Sequence, residues 1–245
     1  MVFGFVWLSV PVLANSFSFA TPSPVLTSAG YSVEVSGLFE MANGQLSITL
    51  NNNLPDDTND EQEIVGISFN VNQGSSTLGA DPLIDFSVQA QQISLLSKTG
   101  SGYTTPAAAP SNQTAWSVSI PVLSSTSSTF DIGETGPKSD MIIGPPDTTN
   151  PSEYAGNHSS IYEHNPQYYE SATFILTDPN LSAADNISNI QLLFGTQTSP
   201  SILSITSAVT QQQAAGVPEP ATLALLGAGL TFIGWLGRSR AARTK

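Results

Sequence analysis

Between residues 31 and 205, apolar side chains recur at every second position in short runs, and each run stops at Gly, Pro, Asn or Ser. A period of two places successive side chains on opposite faces of an extended chain, so such runs read as strands with one buried face. Tyr31, Val33, Val35, Gly37 and Phe39 alternate with Ser and Glu, and Leu46, Ile48 and Leu50 resume the pattern after an Ala42-Asn43-Gly44 turn. Residues 31–50 are therefore predicted to form a hairpin, because Asn-Gly tolerates the positive φ of a tight turn. Val65, Ile67, Phe69 and Val71 line one face of a strand over 64–71. Further strands are expected at 86–90, 115–120, 129–132, 173–177, 190–194 and 202–205. Trp116, in step with Val118 and Ile120, belongs to the core. Helical periodicity is scarce: 89–96 fits helix or strand, and 182–185 fits one capped turn. These features predict an all-β chain, a single antiparallel β-sandwich or jelly-roll-like domain over residues 21–210. Residues 99–114 and 133–167, the latter with five prolines, read as long loops.

Charge narrows the function classes. Lys and Arg total six, and four of them (Arg238, Arg240, Arg243, Lys245) fall in the last eight residues. Residues 1–237 thus carry two bases against 19 acids, a net of −17, which excludes nucleic acid as a partner of the body. Cysteine is absent, so thiolate metal sites, thiol catalysis and disulfides are excluded. Polarity comes instead from 34 serines and 23 threonines.

The two ends read as addresses. Residues 2–14 are an uncharged apolar run of 13, short for a membrane span and suited to the core of a signal peptide, although no basic residue precedes it. Val12-Leu13-Ala14 and Ser18-Phe19-Ala20 both offer small residues for a signal peptidase; the second is preferred, giving a leader over 1–20. A linker over 211–217 follows the body. Val217-Pro218-Glu219-Pro220 then precedes 17 uncharged residues (221–237), which as a helix rise about 25 Å and give a short transmembrane segment. Trp235 lies at its interfacial end, and Arg238, Arg240 and Arg243 hold that flank in the cytoplasm by the positive-inside bias.

The Pro-Glu-Pro entry, small-residue span and arginine cluster, ordered within 218–243, resemble the PEP-CTERM sorting signal, a tail also labelled ice-binding protein C-terminal domain. The resemblance implies export through the Sec machinery, transient anchoring in the inner membrane, and recognition by an exosortase that removes the tail near Pro218–Pro220. It further implies an envelope or extracellular setting with exopolysaccharide and biofilm. Phrases of the body, GQLSITLNNNLPD and DPNLSAADNISNIQLLFGT, resemble other proteins with this tail and bring no chemistry with them.

Within the body two clusters are chemically suggestive. Residues 56–63 hold five acids in eight positions, and Asp57, Asn59, Glu61 and Glu63 have alternate oxygen-ligand spacing that calcium accepts. The EF-hand pattern fails, because Gln62 stands where glycine is required, so the segment is either a solvated acidic loop or a calcium site. Residues 153–170 contain both histidines and four of the six tyrosines. His158 and His164 with Glu153 or Glu163 match no standard zinc spacing. Tyr154, Tyr162, Tyr168 and Tyr169 either offer flat faces to sugar rings or fasten a long loop to the body. No G-x-S-x-G, H-E-x-x-H or phosphate-binding glycine loop is present. The expectation is a non-enzymatic, exported and C-terminally sorted protein, structural or adhesive in an exopolysaccharide matrix, with no cofactor unless calcium. A carbohydrate-binding module using the tyrosine-rich loop is the alternative, and a glycan-active hydrolase a third class.

Overall fold

The computed structural model describes residues 15–21, 24–42, 44–72, 85–96, 99–104, 116–123, 127–134, 140–151, 153–157, 159–195, 200–205 and 210–213. The first strands are β1 (Asn15–Ala20), β2 (Val25–Leu26), β3 (Ser32–Val33), β4 (Val35–Ala42), β5 (Gln45–Asn52) and β6 (Ile64–Asn72). The middle of the chain adds β7 (Asp85–Leu95), β8 (Thr99–Thr104), β9 (Trp116–Leu123), β10 (Ser127–Glu134) and β11 (Ile142–Ile143). The last are β12 (Glu153–Asn157), β13 (Gln167–Thr177), β14 (Asn186–Phe194), β15 (Ser201–Ile205) and β16 (Thr210–Gln213). Among the described residues helix is limited to a 3-10 turn, Asp60–Gln62, and one α-turn, Ser159–Tyr162. The protein is all-β.

One hydrogen-bonded network joins fourteen of these strands. It has two arms. β6 pairs antiparallel with β14 and β10, giving the arm β15-β14-β6-β10-β9. The other arm runs β16-β1-β4-β5-β13-β7, with β8 and β12 added beyond β7. Short β11 links them, pairing Ile142 with Ile64 of β6 and running parallel to β13 at Tyr168 and Tyr169. The inner faces of the arms share one core. Phe39 of β4 meets Phe69 of β6 edge-on at 5.3 Å between ring centres, and Trp116 of β9 meets Phe174 of β13 at 4.7 Å. Trp116 is buried as expected, and its Nε1 donates to the Asp140 carbonyl oxygen at 2.8 Å.

Each run of alternating residues becomes a strand because its apolar face has this core to cover. The β4–β5 hairpin closes from Ala42 to Gln45, and Gly44 takes φ +74° in its turn. Residues 89–95, ambiguous between helix and strand, lie inside β7. The two segments read as loops contain β8 (TGSGYT) and β12 (EYAGN), which pair with each other; neither sequence carries clear apolar alternation.

Residues 15–20 depart from expectation. Read as the end of the leader, they form β1, hydrogen-bonded to β4 on one side and β16 on the other. Phe17 and Phe19 point into the core, and Phe17 meets Phe39 edge-on at 5.4 Å. Gly37 makes room for this strand: a Cβ there would collide with the Phe19 ring. Residues 210–213, placed at the end of the body and the start of the linker, are the edge strand β16. No described helix is long and apolar enough to cross a membrane, and the expected segment 221–237 lies outside the described residues. The chain divides into a unit ending at Gln213 and a second unit, Ala214–Lys245, which holds the expected sorting tail.

Candidate functional site

The acidic segment 56–63 leaves β5 at Asn52, and this residue organises the whole turn. Buried at the strand end, Asn52 donates through Nδ2 to Asp57 Oδ2 at 2.7 Å, to the Gln62 carbonyl at 3.0 Å and to the Ile142 carbonyl at 3.2 Å. Asp57 Oδ2 also accepts from the Gly144 amide at 2.7 Å. Only glycine fits at 144, since a Cβ there would run into the Leu54 carbonyl oxygen. Tyr154 closes the knot by donating its hydroxyl to the Gly144 carbonyl at 2.6 Å. The acidic segment is thereby tied to residues 142–145 and to β12, which is far from what an extended solvated loop would do.

The four residues with calcium-like spacing go to different places. Asp57 turns inward to Asn52 and Gly144. Asn59 Oδ1 accepts from the Glu61 amide and caps the 3-10 turn, while Gln62 Oε1 returns to the Asn59 amide at 3.1 Å, a capping box. The Glu61 carboxylate lies over Gly195, in the space that a Cβ at that position would need. Glu63 is fully buried, and neither of its carboxyl oxygens has a hydrogen-bond partner. Among the described residues no three of His, Asp and Glu are gathered as a metal ion requires.

The inward acids have unusual electrostatics. Burial pushes the Asp57 carboxyl well above the ordinary carboxylate range, against the two hydrogen bonds that favour its charge. Burial raises Glu63 likewise, and the neighbouring carboxyls of Asp57, Asp60 and Glu134 add to the shift. Asp60 moves the other way: His164 Nε2, 3.5 Å from its Oδ2, holds this carboxyl below its usual range.

The tyrosine-rich segment is also packed. Tyr154 and Tyr168 are wholly buried, so neither presents a face to a sugar, and of the two alternatives these residues take the one that fastens the segment to the body. Tyr154 belongs to a second small core with Ile93, Leu95, Ile143 and Ile161, against which Tyr162 and Tyr169 are half-buried. Tyr103, within the segment expected to be a loop, stacks on Tyr169 at 5.7 Å and meets Tyr154 edge-on at 5.6 Å. Of the proposed metal residues, His164 is buried against Asp60, Glu153 and Glu163 are exposed, and His158 lies outside the described residues.

Sequence reasoning missed an open groove of about 600 Å³ on the β15-β14-β6-β10 surface. Ser68, Asn70, Thr129, Ser188, Gln191 and Ser204 contribute its polar lining. A register shift in the β14–β6 pairing falls between Ser188 and Gln191, with Asn189 at φ +51°, and these residues line the groove. None of the lining groups is ionisable, so the groove offers neutral hydrogen bonds and no acid–base pair.

The remaining address is decided by comparison. The model of the PEP-CTERM protein-sorting motif matches residues 216–241. The chain carries a PEP-CTERM sorting motif. Val217, Pro218, Glu219 and Pro220 stand at its start, and Trp235, Arg238 and Arg240 fall within its second half. The motif makes this an exported, C-terminally sorted protein, held transiently at the membrane and processed by an exosortase. No curated protein matches the chain. Among solved structures it aligns with the Clostridium perfringens NetB toxin in the membrane-inserted form, at 10% identity and a TM-score of 0.17, over 78% of this chain and 100% of that one. A likeness at that level carries no argument about the body.

Proposed function

We propose that the body is a non-enzymatic β-sandwich delivered by its PEP-CTERM motif to the envelope or extracellular matrix, where it serves as a structural or adhesive element among exopolysaccharide. The carrying observation is the fate of its reactive-looking side chains. Asp57, Asn59, Asp60, His164 and Tyr154 are committed to contacts that fasten loops. A paired acid and base facing open space, which hydrolysis would need, is not among the described groups lining the groove. The test is fractionation of the native host with mass spectrometry of the protein's C-terminus. A body found outside the inner membrane and ending near Pro218 supports the reading, and a full-length chain retained in the cytoplasm defeats it.

A second reading, carbohydrate binding, is favoured by the groove. Its hydroxyl and amide lining suits the neutral hydroxyls of a polysaccharide, and Tyr162 and Tyr169 retain partly exposed faces elsewhere. Pull-down on the host's exopolysaccharide separates the sites. Loss of binding with Gln191→Ala and Asn70→Ala assigns the groove, loss with Tyr162→Ala and Tyr169→Ala assigns the loop, and release of soluble sugar would instead reveal a hydrolase.

A further inference from the structure

We propose that the export leader ends at Ala14, so that a signal peptidase hydrolyses the Ala14–Asn15 bond and the mature body begins at Asn15. This rests on the reading of the protein as exported. Two bonds fit the small-residue rule in the sequence, after Val12-Leu13-Ala14 and after Ser18-Phe19-Ala20. The fold distinguishes them. Cutting after Ala20 would remove the whole of β1, a strand paired at six positions with β4 and at four with β16. It would also empty the core positions of Phe17 and Phe19, 4% and 3% exposed, and leave bare the floor that Gly37 opens beneath the Phe19 ring. Cutting after Ala14 removes none of this, because Asn15 is the first residue of the strand.

The pairing adds a second argument. In the antiparallel β1–β16 register Asn15 faces Gln213 and Ser18 faces Thr210, so the strand's first residue lies opposite the last residue of the body unit. Four residues separate Gln213 from Pro218, the start of the stretch where the resemblance implies that the tail is removed. The chain therefore enters and leaves the body at one end of one strand pair, and β16 covers the edge that β1 would otherwise present. A leader that took β1 with it would leave β16 without its sheet partner. In the proposed step water adds across the Ala14–Asn15 amide, leaving a carboxylate on Ala14 and a free amine on Asn15.

The full-length chain, expressed in a Gram-negative host, provides the test through N-terminal sequencing and intact mass of the protein outside the cytoplasm. An N-terminus at Asn15 is expected. Thr21 at the N-terminus of folded, exported protein overturns the proposal and leaves export standing, as does an exported chain that keeps residues 2–14. Uncleaved protein confined to the cytoplasm overturns the export reading itself. Ala14→Leu places a bulky residue before the scissile bond and is expected to accumulate the precursor, whereas Ala20→Leu, at an exposed strand end, should be processed normally. The opposite pattern moves the site to Ala20. A chain started at Thr21 measures the fold's need for β1 independently of export: it should melt at lower temperature than one started at Asn15, and equal melting would overturn the structural argument.

Discussion

Glu63 and Gly144 show how much of this body is settled by single residues. Glu63 is a buried carboxyl with no hydrogen-bond partner and three acidic neighbours that raise it further. A raised carboxyl holds its proton more tightly when folded than when unfolded. Its contribution to stability is therefore complete below the ordinary Glu range near 4.5 and is lost as pH rises through the higher folded value. Asp57 acts with the same sign, and Asp60, lowered by His164, acts oppositely but is partly solvated. Denaturant unfolding is thus expected to show falling stability from pH 5 to pH 8, and Glu63→Gln, which cannot ionise, should flatten that slope. An unchanged slope would mean that Glu63 keeps its charge when folded. Gly144→Ala forces a methyl into the Leu54 carbonyl and should cost about 2–3 kcal/mol by disrupting the Asn52–Asp57–Gly144 knot, a loss read as a lower urea midpoint.

At the level of elements, the acidic turn and β1 illustrate opposite outcomes for local sequence. The spacing of Asp57, Asn59, Glu61 and Glu63 suits calcium on paper, but the 3-10 turn and its capping box rotate the four side chains toward different neighbours. Calcium at about 1 mM, the weak end of extracellular calcium modules, is accordingly expected to leave the melting temperature unchanged. A saturable rise would show that the segment rearranges around the ion. In β1 the alternation Ser16, Phe17, Ser18, Phe19 is readable as a strand, but its place after an apolar run suggests a leader. The hairpin of β4 and β5 is legible because its turn and its alternation are local, although Ser32 and Val33, read into its first strand, form β3 and pair with β2. β8 and β12 are not legible: Thr99-Gly100-Ser101-Gly102 carries no apolar alternation, and besides its turn onto β7 the strand pairs with β12, more than forty positions away.

For the molecule as a whole, the charge distribution and the sorting motif describe one export itinerary. Cleavage after Ala14 and at Pro218 would leave 18 acids against two bases, a net of −16, with Arg238, Arg240 and Arg243 discarded after serving topology. Replacing Glu219 and Pro220 by Ala should therefore strand the protein in the membrane fraction with Lys245 intact, whereas the unaltered chain loses that terminus; normal processing of the variant would place recognition elsewhere in residues 216–241. The tail's address and the all-β class could be read from the chain alone, because a sorting motif is recognised as linear sequence and a strand's period of two is written into consecutive residues. Only the tertiary structure decided that residues 15–20 form a strand between β4 and β16, that Tyr154 and Tyr168 face inward, and that Asp57 and Glu63 are buried. Each of these depends on partners distant in sequence. Burial and hydrogen bonding are set by which strands meet across the core, a property that no local stretch of the chain contains.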